Sequence, residues 1–221
     1  MLYEADKIVT RYEVGQKQFR FTPNYNVAPS QMFPVVLRNS PNKIRLMRWG
    51  LVPEWKKDFT FNFINIRAET TSDKPYFKKV LLHQRCIVPA NGFFEWGIVN
   101  LEGKEEKHPF YFTLNNQEIF SMAGIYTVLE DAEKIVHYTF AILTCPPNDI
   151  VKPIHNRMPV ILDNKNEDLW LDPDNNDYSL LTKLLIPYPE KMKFYPVSRR
   201  VNNPENNDPE VILEQIPSLR H

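Results

Sequence analysis

Three polar side chains alternate along one short extended segment. Asn65, Arg67 and Glu69 are separated by single residues, and alternate residues of a strand project from the same face of a sheet. An amide, a guanidinium and a carboxylate on one face indicate a polar functional site. A satisfied surface network, with Arg67 paired to Glu69, explains the same pattern, and the residues alone leave both interpretations open.

A single carboxylate, Glu95, lies within an apolar and aromatic stretch that reads Cys-Ile-Val-Pro-Ala-Asn-Gly-Phe-Phe-Glu-Trp. Burial among aromatic rings raises the pKa of a carboxyl group, which suits a general acid working near neutral pH. The alternative is a strand carboxylate that points to water.

A histidine and an arginine occur two residues apart at the predicted start of a strand. His155 could move protons and Arg157 could hold a phosphate on the same side of the chain, although a histidine at a strand edge can also be purely structural. The other histidines, at 83, 108, 137 and 221, have no ligand spacing. We therefore predict no metal site and no cofactor.

The two cysteines, Cys86 and Cys145, are both placed at ends of apolar strands. Cys145 precedes His155 closely enough to suggest a Cys–His hydrolase. Since Pro146-Pro147 follows it, we instead expect both thiols to be small buried apolar groups. One disulfide is possible, but reduced thiols in a cytoplasmic protein are the preferred interpretation.

Basic residues are concentrated in one part of a chain whose formal net charge is zero. Residues 38–85 hold eleven Lys or Arg and four Asp or Glu, so this segment carries +7 and the remainder −7. The asymmetry suits a local polyanion site, and ordinary solvated surface is the alternative. Trp55 precedes Lys56 and Lys57, which makes it the best candidate for stacking on an unpaired base.

The elements that must position these residues are mostly strands. Apolar and β-branched patterns predict strands at 32–38, 43–49, 61–67, 86–99, 108–114, 118–128, 135–144, 158–162 and 192–198, and helices at 5–14, 75–83, 165–171 and 178–185. A charged hairpin turn is predicted at 103–107, and an exposed loop at 202–210. Asp177 or Ser179 is expected to cap the last helix.

Composition and length predict the fold class. The 221 residues include 19 prolines and only 6 glycines, which favours edge strands and stiff turns over long helices. We predict one α+β domain over residues 1–221, dominated by an antiparallel, barrel-like sheet with a few short helices. No apolar run is long enough to span a membrane, and no leader pattern is visible.

Five strings in order carry a family resemblance: Tyr-Asn-Val-Ala-Pro-Ser-Gln at 25–31, Trp-Gly-Leu-Val-Pro-Glu-Trp at 49–55, Asn-Ile-Arg-Ala-Glu-Thr at 65–70, Gly-Phe-Phe-Glu-Trp at 92–96 and His-Asn-Arg-Met-Pro at 155–159. Together the strings resemble the SOS-response-associated peptidase (SRAP) family. Its members bond covalently to abasic sites in single-stranded DNA.

The resemblance implies a role for each matched residue. Asn65 would position the nucleophile, Glu95 would be the acid–base catalyst, and His155 would assist sugar-ring opening and reversal. The remaining matched residues would bind the DNA, through its phosphates or by stacking; they are Arg67, Arg157, Trp55, Asn26 and Pro29. The implied partner is single-stranded DNA with abasic sites, bound by a cytoplasmic, nucleoid-associated monomer.

The family's nucleophile has no counterpart in the sequence. The resemblance implies a cysteine after the initiator methionine, whose α-amine and thiol close a thiazolidine ring on the abasic aldehyde. This sequence has Leu2 there. A truncated or misassigned start is one explanation, and a member that has lost cross-linking is the other; we expect the first. We also expect that the chain as printed forms no thiazolidine and at most a reversible Schiff base through Met1.

Two other functions remain open at this point. One is a peptidase or other hydrolase that uses Glu95 and His155 on a substrate other than DNA. The other is a non-catalytic single-stranded DNA binder, whose affinity would fall with salt and which would form no covalent product.

Overall fold

The computed structural model describes residues 5–15, 20–38, 42–56, 58–115 and 118–217. The strands are β1 Met32–Leu37, β2 Lys43–Trp49, β3 Asn65–Arg67, β4 Arg85–Ala90, β5 Phe93–Leu101, β6 Lys104–Leu114, β7 Phe120–Glu130, β8 Val136–Cys145, β9 Met158–Pro159, β10 Ile161–Leu162 and β11 Met192–Pro196. The α-helices are α1 Ala5–Arg11, α2 Thr70–Asp73, α3 Pro75–His83, α4 Asn164–Leu171 and α5 Tyr178–Thr182. Two 3₁₀ helices follow, at Arg199–Asn202 and Pro209–Ile212.

A closed barrel forms the centre of the molecule. The strands follow the order β7, β4, β1, β2 and β8, and β8 pairs back onto β7 to close the ring. Most pairings are antiparallel, whereas β2 and β3 run parallel to β8. Both lie along the same edge of β8, because β7 occupies the other edge. The predicted α+β, barrel-like class with few short helices is confirmed.

A second sheet, in the order β11, β6 and β5, lies beside the barrel. The sequence predicted one strand over 86–99, which is wrong, because the chain leaves the barrel at Asn91 and Gly92 and starts β5 in the second sheet. Gly92 permits this corner, because a Cβ atom there would collide with the ring of Tyr111. The break between the two strands places Glu95 outside the barrel wall.

Apolar burial explains most of the remaining elements. Ile8 and Tyr12 lie in the core, and the first helix ends at Arg11 instead of at the predicted residue 14. Asp177 caps α5 by accepting a hydrogen bond from the Leu180 amide. Cys86 and Cys145 are buried and free, as expected, and burial raises the pKa of each thiol.

Several predicted boundaries differ from the structure. In place of a strand over 61–67, only Asn65–Arg67 is extended, preceded by an isolated bridge between Leu51 and Phe63. The hairpin turn at 103–107 is tighter than predicted, because Lys104 already pairs with Leu101. The predicted strand 158–162 is two short strands, β9 and β10, and the helix predicted to end at 185 ends at Thr182. Within the described part of the chain, none of the helices has the length and apolar character that crossing a membrane requires.

Candidate active site

All five motif strings contribute residues to one cavity of about 470 Å³ between an end of the barrel and strand β5. Its walls are largely apolar and aromatic, and are formed by Val27, Ala28, Pro29, Phe33, Trp49, Ile64, Val88, Pro89, Ala90, Phe93, Phe94, Trp96, Met122, Phe140, Ile142, Pro159, Val201 and Pro204. The polar side chains that line it are Asn26, Asn65, Glu95, Thr144 and Asn202. An apolar cavity with a few converging polar groups is the usual form of a small-molecule site.

The ionisable pair of the site is formed by Glu95 and His155. Glu95 Oε2 lies 3.3 Å from His155 Nδ1, and their side chains are 21% and 39% exposed. His155 Nδ1 is also 3.0 Å from the Arg157 carbonyl oxygen. The Arg157 amide also lies 3.4 Å from this nitrogen. In the tautomer or charged form that carries a proton on Nδ1, that proton is shared between the Arg157 carbonyl and the Glu95 carboxylate, which orients the imidazole beside Glu95.

Burial sets the protonation of Glu95. Removal from water raises the pKa of this carboxyl to about 7, while the charges of His155 and Lys107 act in the opposite direction. A group with this pKa is populated in both forms near neutral pH, so it can donate a proton in one step and accept it in the next. The raised pKa agrees with the sequence-based expectation for a carboxylate among aromatic residues.

Strand β3 brings Asn65 and Arg67 to the surface side, with Ile66 buried between them. Asn65 lines the cavity, and so does Thr144, which lies beside the same strand because β3 pairs with β8. Thr144 was not identified from the sequence. Only the parallel pairing of β3 with β8 reveals it, and that pairing has no local sequence signal.

Glu69 does not share the face of Asn65 and Arg67, because the strand ends at Arg67 and the chain turns into α2. It pairs instead with Arg157: Nη1 donates to Oε1 at 2.8 Å and Nη2 donates to Oε2 at 2.9 Å. Arg157 Nη2 also donates to the Thr144 carbonyl at 2.6 Å. The hydrogen bonds from Arg157 lower the pKa of Glu69. The proposed Arg67–Glu69 surface pair is thus replaced by an Arg157–Glu69 pair.

The C-terminal segment supplies part of the cavity wall. Asn26 is only 5% exposed, and its Nδ2 donates to the carbonyl oxygens of Val201, Asn203 and Asn206 at 3.0, 3.0 and 3.2 Å. Trp96 Nε1 donates to Asn202 Oδ1 at 2.8 Å. The loop predicted to be exposed at 202–210 therefore begins with a residue, Asn202, that is held against the cavity. Asn202 was not identified from the sequence, because this whole segment was predicted to be exposed.

Two of the predicted DNA-contacting residues, Trp55 and Pro29, are exposed. Trp55 is 63% exposed and packs edge-on against Tyr76 with ring centroids 4.3 Å apart. Pro29 is exposed and lines the cavity. Both are accessible to a ligand, while Lys57, which follows Trp55 in the basic string, lies outside the described residues. Contact of either residue with DNA stays a prediction.

No grouping of three or more His, Cys, Asp or Glu side chains suited to a metal ion occurs among the described residues. The arrangement that is present suits proton transfer by a carboxyl–imidazole pair next to an apolar chamber. Fold and site together define a barrel protein with a carboxyl–imidazole pair beside a largely apolar cavity.

Comparisons with known proteins identify the family. The profile of the family described as SOS response associated peptidase (SRAP) matches residues 1–204. The chain is 41% identical to the abasic site processing protein YoqW of Bacillus subtilis, with 95% of each chain covered. It is 32% identical to the abasic site processing protein HMCES of Rattus norvegicus, with 87% of this chain and 65% of that protein covered.

Structural similarity agrees with the sequence comparison. A crystal structure of a protein from Bacteroides thetaiotaomicron superposes with a TM-score of 0.86 at 30% identity, covering 98% of both chains. The protein belongs to the SRAP family.

Proposed function

We propose that this protein processes abasic sites in single-stranded DNA, and that the ring-opened deoxyribose of the lesion enters the cavity beside Glu95. The observation that carries the proposal is the Glu95–His155 pair, 3.3 Å apart, where Glu95 reaches a largely apolar cavity. Relatives of similar length that are named abasic site processing proteins support it.

The proposed chemistry needs an amine, a thiol and a proton-transfer group. The α-amine of an N-terminal cysteine, of which a useful fraction is neutral because its pKa is about 8, attacks the aldehyde carbon of the opened sugar. Glu95 in its acid form donates a proton to the hydroxyl of the resulting carbinolamine, and water leaves. The protonated imine that results returns its N–H proton to the Glu95 carboxylate, which gives the imine. The thiol sulfur then bonds to the imine carbon, its proton passes to nitrogen, and a thiazolidine results.

The remaining residues would bind and orient the strand. Asn65 would hold the amine through its amide, next to Thr144. Arg67, on the same face of β3, and Arg157 would bind phosphates beside the lesion, the latter by exchanging its Glu69 partner. Trp55 would stack on a base at the rim, with Pro29 lining the entrance and Asn26 supporting the wall behind it.

The decisive experiment adds Cys-Gly-Arg-Phe in front of Leu2, behind a removable methionine, and mixes this protein with single-stranded DNA that holds one abasic site. A shifted band on a denaturing gel is expected, and its absence from a matched strand without the lesion is the control. A folded protein with an exposed N-terminal cysteine that yields no such band would contradict the proposal. The printed chain, tested alongside with borohydride, should give at most a reductively trapped adduct.

The same pair also suits peptide cleavage, which the family's description names. We infer that a leader placed before the added cysteine would be removed by the same site, with Glu95 and His155 transferring the protons. Mass spectrometry of the N-terminus tests this inference. Cleavage of unrelated peptides with no dependence on DNA, combined with no cross-link, would favour the hydrolase alternative instead.

A further inference from the structure

A second cavity, of about 260 Å³, is strongly basic. Its lining contains five basic side chains, Arg38, Lys43, Arg45, His83 and Arg85, together with Leu37, Ile44, Tyr126, Leu171 and Pro173. We call it the basic pocket. It contains a large share of the positive charge that the sequence concentrates in residues 38–85, and none of its residues lines the first cavity.

The position of the basic pocket is fixed by strand β2. Lys43 and Arg45 lie near the start of that strand, and Trp49, at its end, lines the first cavity. Since a strand rises about 3.3 Å per residue, Arg45 and Trp49 are separated by about 13 Å along β2. The two cavities therefore lie near opposite ends of the same barrel strand.

Arg85 forms the buried part of the basic pocket. Its Nε donates to the Trp170 carbonyl at 2.6 Å, and its Nη atoms donate to the carbonyls of Leu81, Leu82, Asp172 and Asn175. These bonds join the C-terminal ends of α3 and α4. All five N–H groups of the guanidinium thus bind neutral oxygens, so Arg85 contributes positive potential to the pocket but has no donor left for a ligand.

Lys43 and Arg45 provide the donors that a ligand can reach. Both are exposed, and as alternate residues of β2 they project to the same side. The Arg45 guanidinium lies 3.9 Å from the centre of the Tyr138 ring, which restrains its position. His83, at the end of α3, is also exposed.

Negative charge near the basic pocket is limited. Among the described residues that line it, none is Asp or Glu. Asp168 pairs with Arg38 from outside the lining, with its own side chain 86% exposed, and the Asp172 charge acts on Arg85. Two carboxylates therefore oppose four Lys or Arg side chains, which leaves an excess of positive charge with two exposed donor groups.

We propose that the basic pocket binds a phosphate group, and that the phosphate belongs to the DNA strand at a distance from the lesion. Phosphate suits a small cavity that offers a guanidinium and an ammonium group from one side. The assignment to DNA rests on the proposed function, whereas phosphate binding itself does not. A strand that also reaches this pocket would extend along the barrel away from the first cavity.

The test uses the double variant Lys43→Gln/Arg45→Gln in the chain with Cys-Gly-Arg-Phe added before Leu2. Its matched control is Lys104→Gln/Lys183→Gln, which removes the same charge from exposed positions outside both cavities. Thermal unfolding of both variants checks the fold. The probes are inorganic phosphate, followed by NMR, and undamaged single strands of about 3 and about 20 nucleotides, followed by fluorescence anisotropy.

The proposal expects the Lys43→Gln/Arg45→Gln variant to bind the long strand roughly tenfold more weakly, with a salt slope lower by about 0.7, since one single-strand phosphate contact contributes about that much. Short-strand affinity should be unchanged, and phosphate-dependent NMR shifts should disappear. If the variant loses phosphate binding but keeps its long-strand affinity, the pocket binds phosphate, and its assignment to the DNA strand is wrong. If neither probe distinguishes the two double variants, the proposal is wrong.

A separate measurement, cross-linking of a short abasic strand, tests the proposed function. Cross-linking of a short abasic strand should proceed equally in the Lys43→Gln/Arg45→Gln variant and in the unsubstituted chain, because the short strand reaches only the first cavity. Absence of a cross-link in both would overturn the proposed function and leave the phosphate measurements unaffected.

Discussion

Charged side chains have opposite environments in the two cavities: the first shields them from water, and the basic pocket leaves most of them exposed. In the first cavity, Glu95 is shielded from water and contacts His155, while the nearby Arg157 is paired with Glu69. In the basic pocket, Lys43 and Arg45 face solvent and no acidic residue is found among the described lining residues. Shielding raises the pKa of the Glu95 carboxyl and prepares it for proton transfer, whereas exposed positive charge favours anion binding. The contrast predicts that substitutions in the first cavity affect chemistry and those in the basic pocket affect only affinity.

The largest effect is expected from Glu95→Gln. In the chain with the added cysteine, the cross-linking rate should fall by about 100-fold or more, because an amide cannot donate the proton that releases water. Single-turnover gel assays measure this rate. Glu105→Gln, on the exposed part of the same hairpin, should change nothing. Equal rates for both variants would show that Glu95 is not the acid.

The same substitution should change the pH dependence of stability. The pKa of Glu95 rises from 4.5 to about 7 on folding. Between these values the folded protein binds more protons than the unfolded chain, so stability falls as pH rises through this window, by at most about 3 kcal/mol. Urea unfolding across the window should show a flatter profile for Glu95→Gln. A profile parallel to that of the unsubstituted chain would contradict the shielding of this carboxyl group.

The next largest effect is expected from Asn26→Ala, which removes hydrogen bonds to three carbonyl groups of residues 201–206. The free energy of unfolding should fall by roughly 2–3 kcal/mol, since each bond contributes about 1 kcal/mol. Asn176→Ala, on an exposed loop, is the control. Because Asn26 supports the wall of the first cavity, cross-linking should slow less than in Glu95→Gln, and phosphate binding at the basic pocket should be unchanged.

Local sequence patterns predicted the secondary structure better than the spatial arrangement of the site. The strands at 32–38 and 43–49 and the helix at 75–83 follow directly from apolar spacing, and Glu95 was found because its aromatic neighbours are adjacent in sequence. Thr144 and Asn202 were not found. Thr144 reaches the cavity through the pairing of β3 with β8, and Asn202 through the hydrogen bonds that hold residues 201–206 against Asn26. Such long-range contacts depend on the whole fold and have no signature in a short window.

A smaller effect is expected from Trp55→Ala, which should weaken binding of undamaged single-stranded DNA about tenfold, since stacking on one base contributes about 1–3 kcal/mol. Stability should hardly change, because the side chain is 63% exposed, and the equally exposed Ile98→Ala is the control. The salt slope should also be unchanged, whereas Lys43→Gln/Arg45→Gln should lower it. A lower salt slope for Trp55→Ala would mean that removing the tryptophan ring also displaces the strand from the basic residues. Stacking and phosphate binding would then not be independent contributions.

The smallest effect is expected from Glu69→Gln, which removes the charge that compensates Arg157. The pKa of Glu69 is lowered by Arg157, so this pair stabilises the fold above the normal carboxyl pKa and loses that contribution as pH falls through the lowered value. Glu69 is 53% exposed, which limits the loss on substitution to less than about 1 kcal/mol.

Arg157 should bind DNA better once its partner is neutral. If it contacts a phosphate, Glu69→Gln should raise single-strand affinity about threefold and increase the salt slope by about 0.7. The double variant Glu69→Gln/Arg157→Gln should lose both gains, and anisotropy titrations at several salt concentrations measure them. If the double variant binds as tightly as Glu69→Gln, the gain comes only from removing a negative charge. Arg157 would then be a structural residue that joins α2 to β8, and charge compensation would be a permanent feature of the first cavity.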